Sequence, residues 1–121
     1  MDNTGLLLID VLSILPEGVD CYLQAPSLED EVIVSIMNEA KFANSKSIKL
    51  DGKIKEKFIE RIINYSIIEY FHRVEIRNNN KLLFEGYDGI EYGLISKSII
   101  IPEWFIEKHI KSENCIISED W

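Results

Sequence analysis

The stretch Tyr70-Phe71-His72-Arg73-Val74-Glu75-Ile76-Arg77-Asn78-Asn79-Asn80-Lys81-Leu82-Leu83-Phe84-Glu85 decides how the rest of this 121-residue chain is read. From Tyr70 the side chains alternate with period two. Tyr70, His72, Val74 and Ile76 point one way, and Phe71, Arg73, Glu75 and Arg77 the other. That is the spacing of a strand with one buried face. Three asparagines then supply residues that tolerate positive φ, as a tight hairpin turn requires. Lys81 to Glu85 forms the return strand, and Arg73, Glu75 and Arg77 are placed to pair with its charged positions.

Towards the C-terminus, Gly86-Tyr87-Asp88-Gly89 reads as a turn and Tyr92-Gly93-Leu94-Ile95 as a short strand. Ser98-Ile99-Ile100-Ile101 either extends that strand or forms another. Pro102 suits the first position of a helix running through Trp104, Phe105, Ile106 and Ile110. Cys115-Ile116-Ile117 reads as a last edge strand.

Towards the N-terminus, Ile54, Phe58, Ile59, Ile62 and Ile63 form the stripe of an amphipathic helix after the Asp51-Gly52 turn. Its other face, with Lys53, Lys55, Glu56, Lys57, Glu60 and Arg61, reads as mostly solvated. An earlier helix starts at Ser27, with Glu29, Asp30 and Glu31 in its first turn. Leu28, Val32, Ile33, Ile36, Met37 and Ala40 form its stripe, which fades near Ala43-Asn44-Ser45. A loop is expected from Pro16 through Pro26. The apolar run Gly5 to Leu15 reads as a buried strand, although its pattern also fits a buried helix. Together these elements predict a single α+β domain over residues 1–121, a mostly antiparallel sheet with two or three amphipathic helices on one face.

Composition narrows the function. The formal net charge is −8, laid out as −8 over residues 1–40, +4 over 41–65 and −4 over 66–121. Such a chain repels nucleic acid over most of its surface and attracts a basic protein. The lysine-rich stretch from Lys41 to Arg61 lacks interleaved stacking aromatics, so it reads as a solvated helix face. Asp2 and Asp10 interrupt what would otherwise resemble a signal peptide, and the run is too short to span a bilayer. The expectation is a cytoplasmic protein in which Cys21 and Cys115 are free thiols.

No phosphate-binding glycine loop, GxSxG, HExxH or CxxC is present. His72 reads as a buried or half-buried structural residue on the strand face of Val74 and Ile76. His109, near the end of the C-terminal helix, suits the negative end of the helix dipole. The spacing of His109 and Cys115 fits no zinc pattern. No catalytic residue, metal or cofactor is expected. The segment Glu85-Gly86-Tyr87-Asp88-Gly89-Ile90-Glu91-Tyr92-Gly93 stands out instead, with three carboxylates, two tyrosines and three glycines in a turn-rich stretch. Loops on a rigid scaffold often carry recognition, and tyrosine is enriched at interfaces. Glu85, Tyr87, Asp88, Glu91 and Tyr92 are therefore the candidate partner-binding residues.

The segments Leu82-Leu83-Phe84-Glu85-Gly86-Tyr87-Asp88-Gly89, Ile95-Ser96-Lys97, Ile101-Pro102-Glu103-Trp104-Phe105 and Ile117-Ser118-Glu119-Asp120-Trp121 resemble small bacterial immunity proteins of polymorphic toxin systems. These include the immunity partners of contact-dependent growth inhibition toxins. The resemblance spans Leu82 to Trp121. It implies a non-catalytic protein that binds and neutralises the toxic domain of a cognate effector inside the cell. Many such toxins are nucleases with basic surfaces, which an acidic inhibitor meets by charge complementarity. Two other classes remain open. A small enzyme would place His72 or His109 in a pocket beside a carboxylate, and a homodimeric regulatory subunit would pair through an exposed sheet edge.

Overall fold

The computed structural model describes residues 5–39 and 45–121. The expected hairpin is present. β4 (Arg73–Asn78) and β5 (Lys81–Tyr87) pair antiparallel through a two-residue loop. Asn79 and Asn80 have φ of 51° and 67°, the handedness of a loop that matches strand twist. The register shifts between Ile76 and Arg77, so that Ile76 faces Phe84 and Arg77 faces Leu82. Leu83 is the extra residue of a bulge, and both Leu83 and Phe84 are buried. The alternation begins only at Arg73. Tyr70 ends a 3₁₀ turn (Ile67–Tyr70) and is exposed, Phe71 is buried, and His72 is exposed rather than buried.

Among the described residues seven strands form one sheet, in the order β2-β3-β1-β4-β5-β6-β7. The remaining strands are β1 (Val19–Gln24), β2 (Asn38–Glu39), β3 (Lys46–Leu50), β6 (Tyr92–Ile95) and β7 (Cys115–Ile117). Every pairing is antiparallel except β6 with β7. This is a mixed α+β domain, as expected. β1 was expected to be loop, yet it lies at the centre of the sheet. Its Val19, Cys21 and Leu23 are buried, while Asp20, Tyr22 and Gln24 face the other way. Every second residue is polar or amphipathic, and flanking strands on both sides turn that weak alternation into a stable strand.

The N-terminal run is not a strand. α1 (Leu6–Ile14) is a helix whose Leu7, Leu8, Val11 and Leu12 are buried, one face of a 3.6-residue repeat. α2 (Glu31–Ile36) is shorter than expected and starts later. Its cap is Asp30, not Ser27, with Oδ1 accepting from Ile33 N–H at 3.0 Å. Met37 is extended and leads into β2, while the expected end of the helix near residues 43–44, like Ala40, lies outside the described residues.

α3 (Gly52–Tyr65) is present and buries Phe58 and Ile62, but Ile63 is exposed. Its polar face is less solvated than expected. Arg61 reaches Asp30 at 2.8 Å, and Lys55 reaches Glu17 at 3.2 Å. The basic middle of the chain thus folds against the acidic start. Residues 98–101 form no strand, and Ile100 is 94 % exposed. Pro102 is the cap of α4 (Glu103–Phe105), which passes into a π-helical turn (Ile106–Ile110), where Lys111 N–H bonds Ile106 O at 2.9 Å.

The core forms between one face of the sheet and these helices. Cys21, Ile48, Val74, Ile76, Phe84 and Ile95 from the strands meet Leu8, Leu12, Phe58 and Phe105. The other face is open and lined by Tyr22, Gln24, Arg73, Glu75, Glu85 and Tyr87, all half-buried. No helix among the described residues is long and apolar enough to cross a membrane.

Candidate functional site

The turn from Asp88 to Glu91, between β5 and β6, holds three consecutive residues with positive φ. Asp88, Gly89 and Ile90 have φ of 53°, 72° and 58°. A β-branched residue in this region is a conformational outlier that tertiary contacts must hold. Two backbone bonds do so: Asp88 N–H to His72 O at 3.1 Å and Gly89 N–H to Phe71 O at 2.8 Å. The Ile90 side chain is buried in the core, which fixes the turn from below. The carboxylates of Asp88 and Glu91 are left exposed on a rigid support.

These two acids border a cleft of about 940 Å³. Its walls come from the start of α1 (Gly5, Leu6 and Leu7), from Ile68 and Glu69, from residues 88–91, and from Lys108, His109, Ser112 and Asn114. Glu69 is a third exposed acid on the rim. Among the described residues no ion pair reaches Glu69, Asp88 or Glu91. The N-terminal acids differ. Asp10, Glu17, Asp20 and Asp30 pair with Lys108, Lys55, Lys49 and Arg61.

His109 forms part of the cleft wall and is 2 % exposed. Its Nε2 lies 2.7 Å from Asp10 Oδ2, and Lys108 Nζ reaches the same oxygen at 2.9 Å. Asn114 Nδ2 lies 3.2 Å from His109 Nδ1, and Ser112 Oγ lies 2.7 Å from Asn114 Oδ1. The tautomer with its hydrogen on Nε2 satisfies both contacts: Nε2–H donates to Asp10 and Asn114 donates to Nδ1. The imidazole also packs against Phe105, with ring centroids 4.8 Å apart. The pairing of a histidine with a carboxylate beside a cleft is what the enzyme alternative required. However, both ring nitrogens are engaged, so no lone pair is left to take a proton from a substrate. The pair ties α1 to the π-helical turn across 99 residues of sequence.

The five sequence candidates separate into two groups. Asp88 and Glu91 are on the cleft rim. Glu85, Tyr87 and Tyr92 lie on the open face of the sheet, with Tyr87 opposite Tyr92. Glu85 is already committed, since Arg73 reaches it at 3.1 Å and the Tyr87 hydroxyl donates to it at 2.5 Å. Burial, followed by the bond to Glu85 and its charge, pushes the Tyr87 hydroxyl up from its ordinary pKa. Tyr92 is 56 % exposed and free to make contact. Sequence reasoning missed Glu69 and the Asp10–His109 pair. A lone acid within the apolar run 5–15 was the available signal, because an acid held among buried residues needs a partner. Among the described residues no cluster of three or more His, Cys, Asp or Glu is arranged to hold a metal ion.

Compared with protein-family models, curated proteins and solved structures, the chain matches none of them.

Proposed function

We propose that this is a non-catalytic, cytoplasmic binding protein of the immunity type, which neutralises a toxin domain by engaging its basic surface. One observation carries the proposal. Among the described residues Glu69, Asp88 and Glu91 have no ion-pair partner at the rim of a 940 Å³ cleft, Glu69 on the 3₁₀ turn and Asp88 and Glu91 on a turn whose strained backbone is held by the core. Unpaired carboxylates on a rigid rim raise the local potential that steers a cationic partner, and they lose little entropy when it docks. Tyr92 adds amphipathic contact area on the adjoining face. The resemblance of residues 82–121 to immunity proteins supplies the partner class.

Growth rescue tests this directly. Basic proteins captured by the tagged chain from its source cells are expressed one at a time, with and without this protein. A captured domain that stops growth alone and permits it when co-expressed supports the proposal. If no captured domain is toxic, the immunity reading fails. If rescue survives the combined substitution Glu69→Lys, Asp88→Lys and Glu91→Lys, the assignment of the cleft fails.

A second reading as a small enzyme draws on the Asp10–His109 pair. It requires the imidazole to release Asn114 or Asp10 when substrate enters. A turnover lost in His109→Gln without loss of stability would favour it.

A further inference from the structure

The open face of the sheet changes character across its width. Towards β3 it carries charges that meet one another. Lys49 pairs with Asp20, Arg73 with Glu75 and Glu85, and Arg77 with Glu75. Towards β7 it turns apolar. Tyr87 lies opposite Tyr92 and Leu94 opposite Ile116, and residues directly opposite in a sheet share a face. Tyr92 is 56 % exposed and Ile116 59 %, while Tyr87 and Leu94 are half-buried. Their neighbours along the strands, Gly86, Gly93, Ile95 and Cys115, are buried on the core side. Single apolar residues on a surface are ordinary, but these four adjoin across three strands.

The border of this patch selects what covers it. β6 and β7 run parallel, and both start at the cleft: Glu91 and Asn114, which line it, immediately precede them. Exposed Glu91 and Glu113 therefore stand at that end of the patch, and exposed Glu119 and Asp120 follow β7 at the other. Among the described residues no ion pair reaches these four acids. The bases of these segments are engaged: Lys108 with Asp10, Lys111 with Glu107, and Lys97 Nζ with the main-chain oxygen of Glu119 at 2.9 Å. On the β4 side Arg73 and Arg77 are balanced by Glu75 and Glu85. A second copy of the chain, whichever way it docked, would set acidic ends against acidic ends. We propose that Tyr87, Tyr92, Leu94 and Ile116 are the apolar centre of a docking surface for a basic protein, whose anchor is an apolar side chain flanked by lysine or arginine. An apolar centre within a polar rim is how such interfaces are built: the centre supplies affinity and the charges select the partner. The proposal rests on the reading that the partner is a basic protein, but not on that partner being toxic. It carries the footprint from the cleft, past the Asp88–Glu91 turn, onto the sheet.

Nitrogen-15 NMR of the intact chain reads the patch through the backbone signals of Tyr92, Leu94 and Ile116. The probes are three capped peptides: a leucine between pairs of lysines, a glycine between pairs of lysines, and a leucine between pairs of glutamates. The leucine–lysine peptide should shift all three signals saturably, at a concentration at least about fivefold below that of the glycine–lysine peptide, because it buries a leucine side chain. The leucine–glutamate peptide should give no saturable shift. In the combined Tyr92→Ser and Ile116→Thr variant, the advantage of leucine over glycine should vanish. Equal action of the two leucine peptides, or of the two lysine peptides, would overturn the proposal. Shifts confined to Ile68, Glu69 and Gly89 would also overturn it and leave the cleft reading in place. Conversely, shifts at the patch together with a failed growth rescue would remove the toxin and keep the docking surface. Tyr92 and Ile116 signals that move with protein concentration alone would assign the face to a second copy and overturn the proposal. If the variant fails to fold, the three-peptide comparison on the wild-type chain still decides.

Discussion

At the scale of single residues, the sharpest chemistry is that of groups removed from water. Burial pushes the Cys21 thiol up to about 12, with the Asp20 charge adding to it, and burial does the same for Cys115. A thiolate is the reactive form, so neither cysteine should react with an aromatic disulfide reagent at neutral pH until the protein is unfolded, when both should react. Rapid labelling of the native protein would contradict this. Asp30 behaves oppositely. Burial alone would raise its pKa, but the Arg61 guanidinium and the Ile33 and Val32 N–H groups hold it below the ordinary carboxylate value. A depressed folded pKa gives stability that is present above the unfolded carboxylate pKa and is lost as pH falls through the folded one. Denaturant melts across the acidic range should show this loss in the wild type and a smaller one in Asp30→Asn. At neutral pH, Asp30→Ala should cost roughly 0.5–2 kcal/mol through loss of the helix cap alone.

At the scale of elements, what was legible depended on whether local signals agreed. The hairpin was readable because alternation, turn residues and cross-strand charges all pointed the same way, and Arg73 does meet Glu85. α3 was readable from its stripe, and β6 and β7 from short apolar runs. The sequence points to a loop at β1, because proline and glycine precede it and proline follows it, and its strand character depends on two distant neighbours. The sequence does not declare α1 a helix, because a continuous apolar run carries no period. Of the candidate site, the turn at Asp88 and Glu91 was visible as a loop. Glu69 was not, because only tertiary structure brings it to the cleft. The glycines of β5 and β6 have a structural reason that sequence did not supply. Gly86 and Gly93 face each other across the ladder, and the Phe84 ring packs over both. A Cβ at Gly93 would lie 2.6 Å from that ring and 2.9 Å from the Glu85 carbonyl oxygen. Gly93→Ala should therefore destabilise by roughly 1–3 kcal/mol, measured by urea unfolding. An unchanged midpoint would mean that the ring moves aside freely.

At the scale of the whole molecule, the uneven charge of the chain resolves into two uses. The acidic N-terminal part and the basic middle meet within the fold, through Glu17 with Lys55, Asp20 with Lys49 and Asp30 with Arg61. The excess that remains includes the three unpaired acids on the cleft rim. The Asp10–His109 pair fastens the first helix to the last, and its proposed role is structural. Asp10→Asn should lower stability by about 1–3 kcal/mol while partner affinity stays near that of the wild type. A large loss of affinity with stability intact would instead place that pair in function. The central claim, that the acidic rim engages a basic partner, is tested most directly by calorimetric titration of the purified partner domain at low and high salt. The titration compares the wild type with the combined Glu69→Lys, Asp88→Lys and Glu91→Lys variant. The account predicts at least about tenfold weaker binding by the variant at low salt, close to 1.4 kcal/mol, and a flatter salt dependence. Equal affinity and equal salt dependence in the two proteins would contradict it.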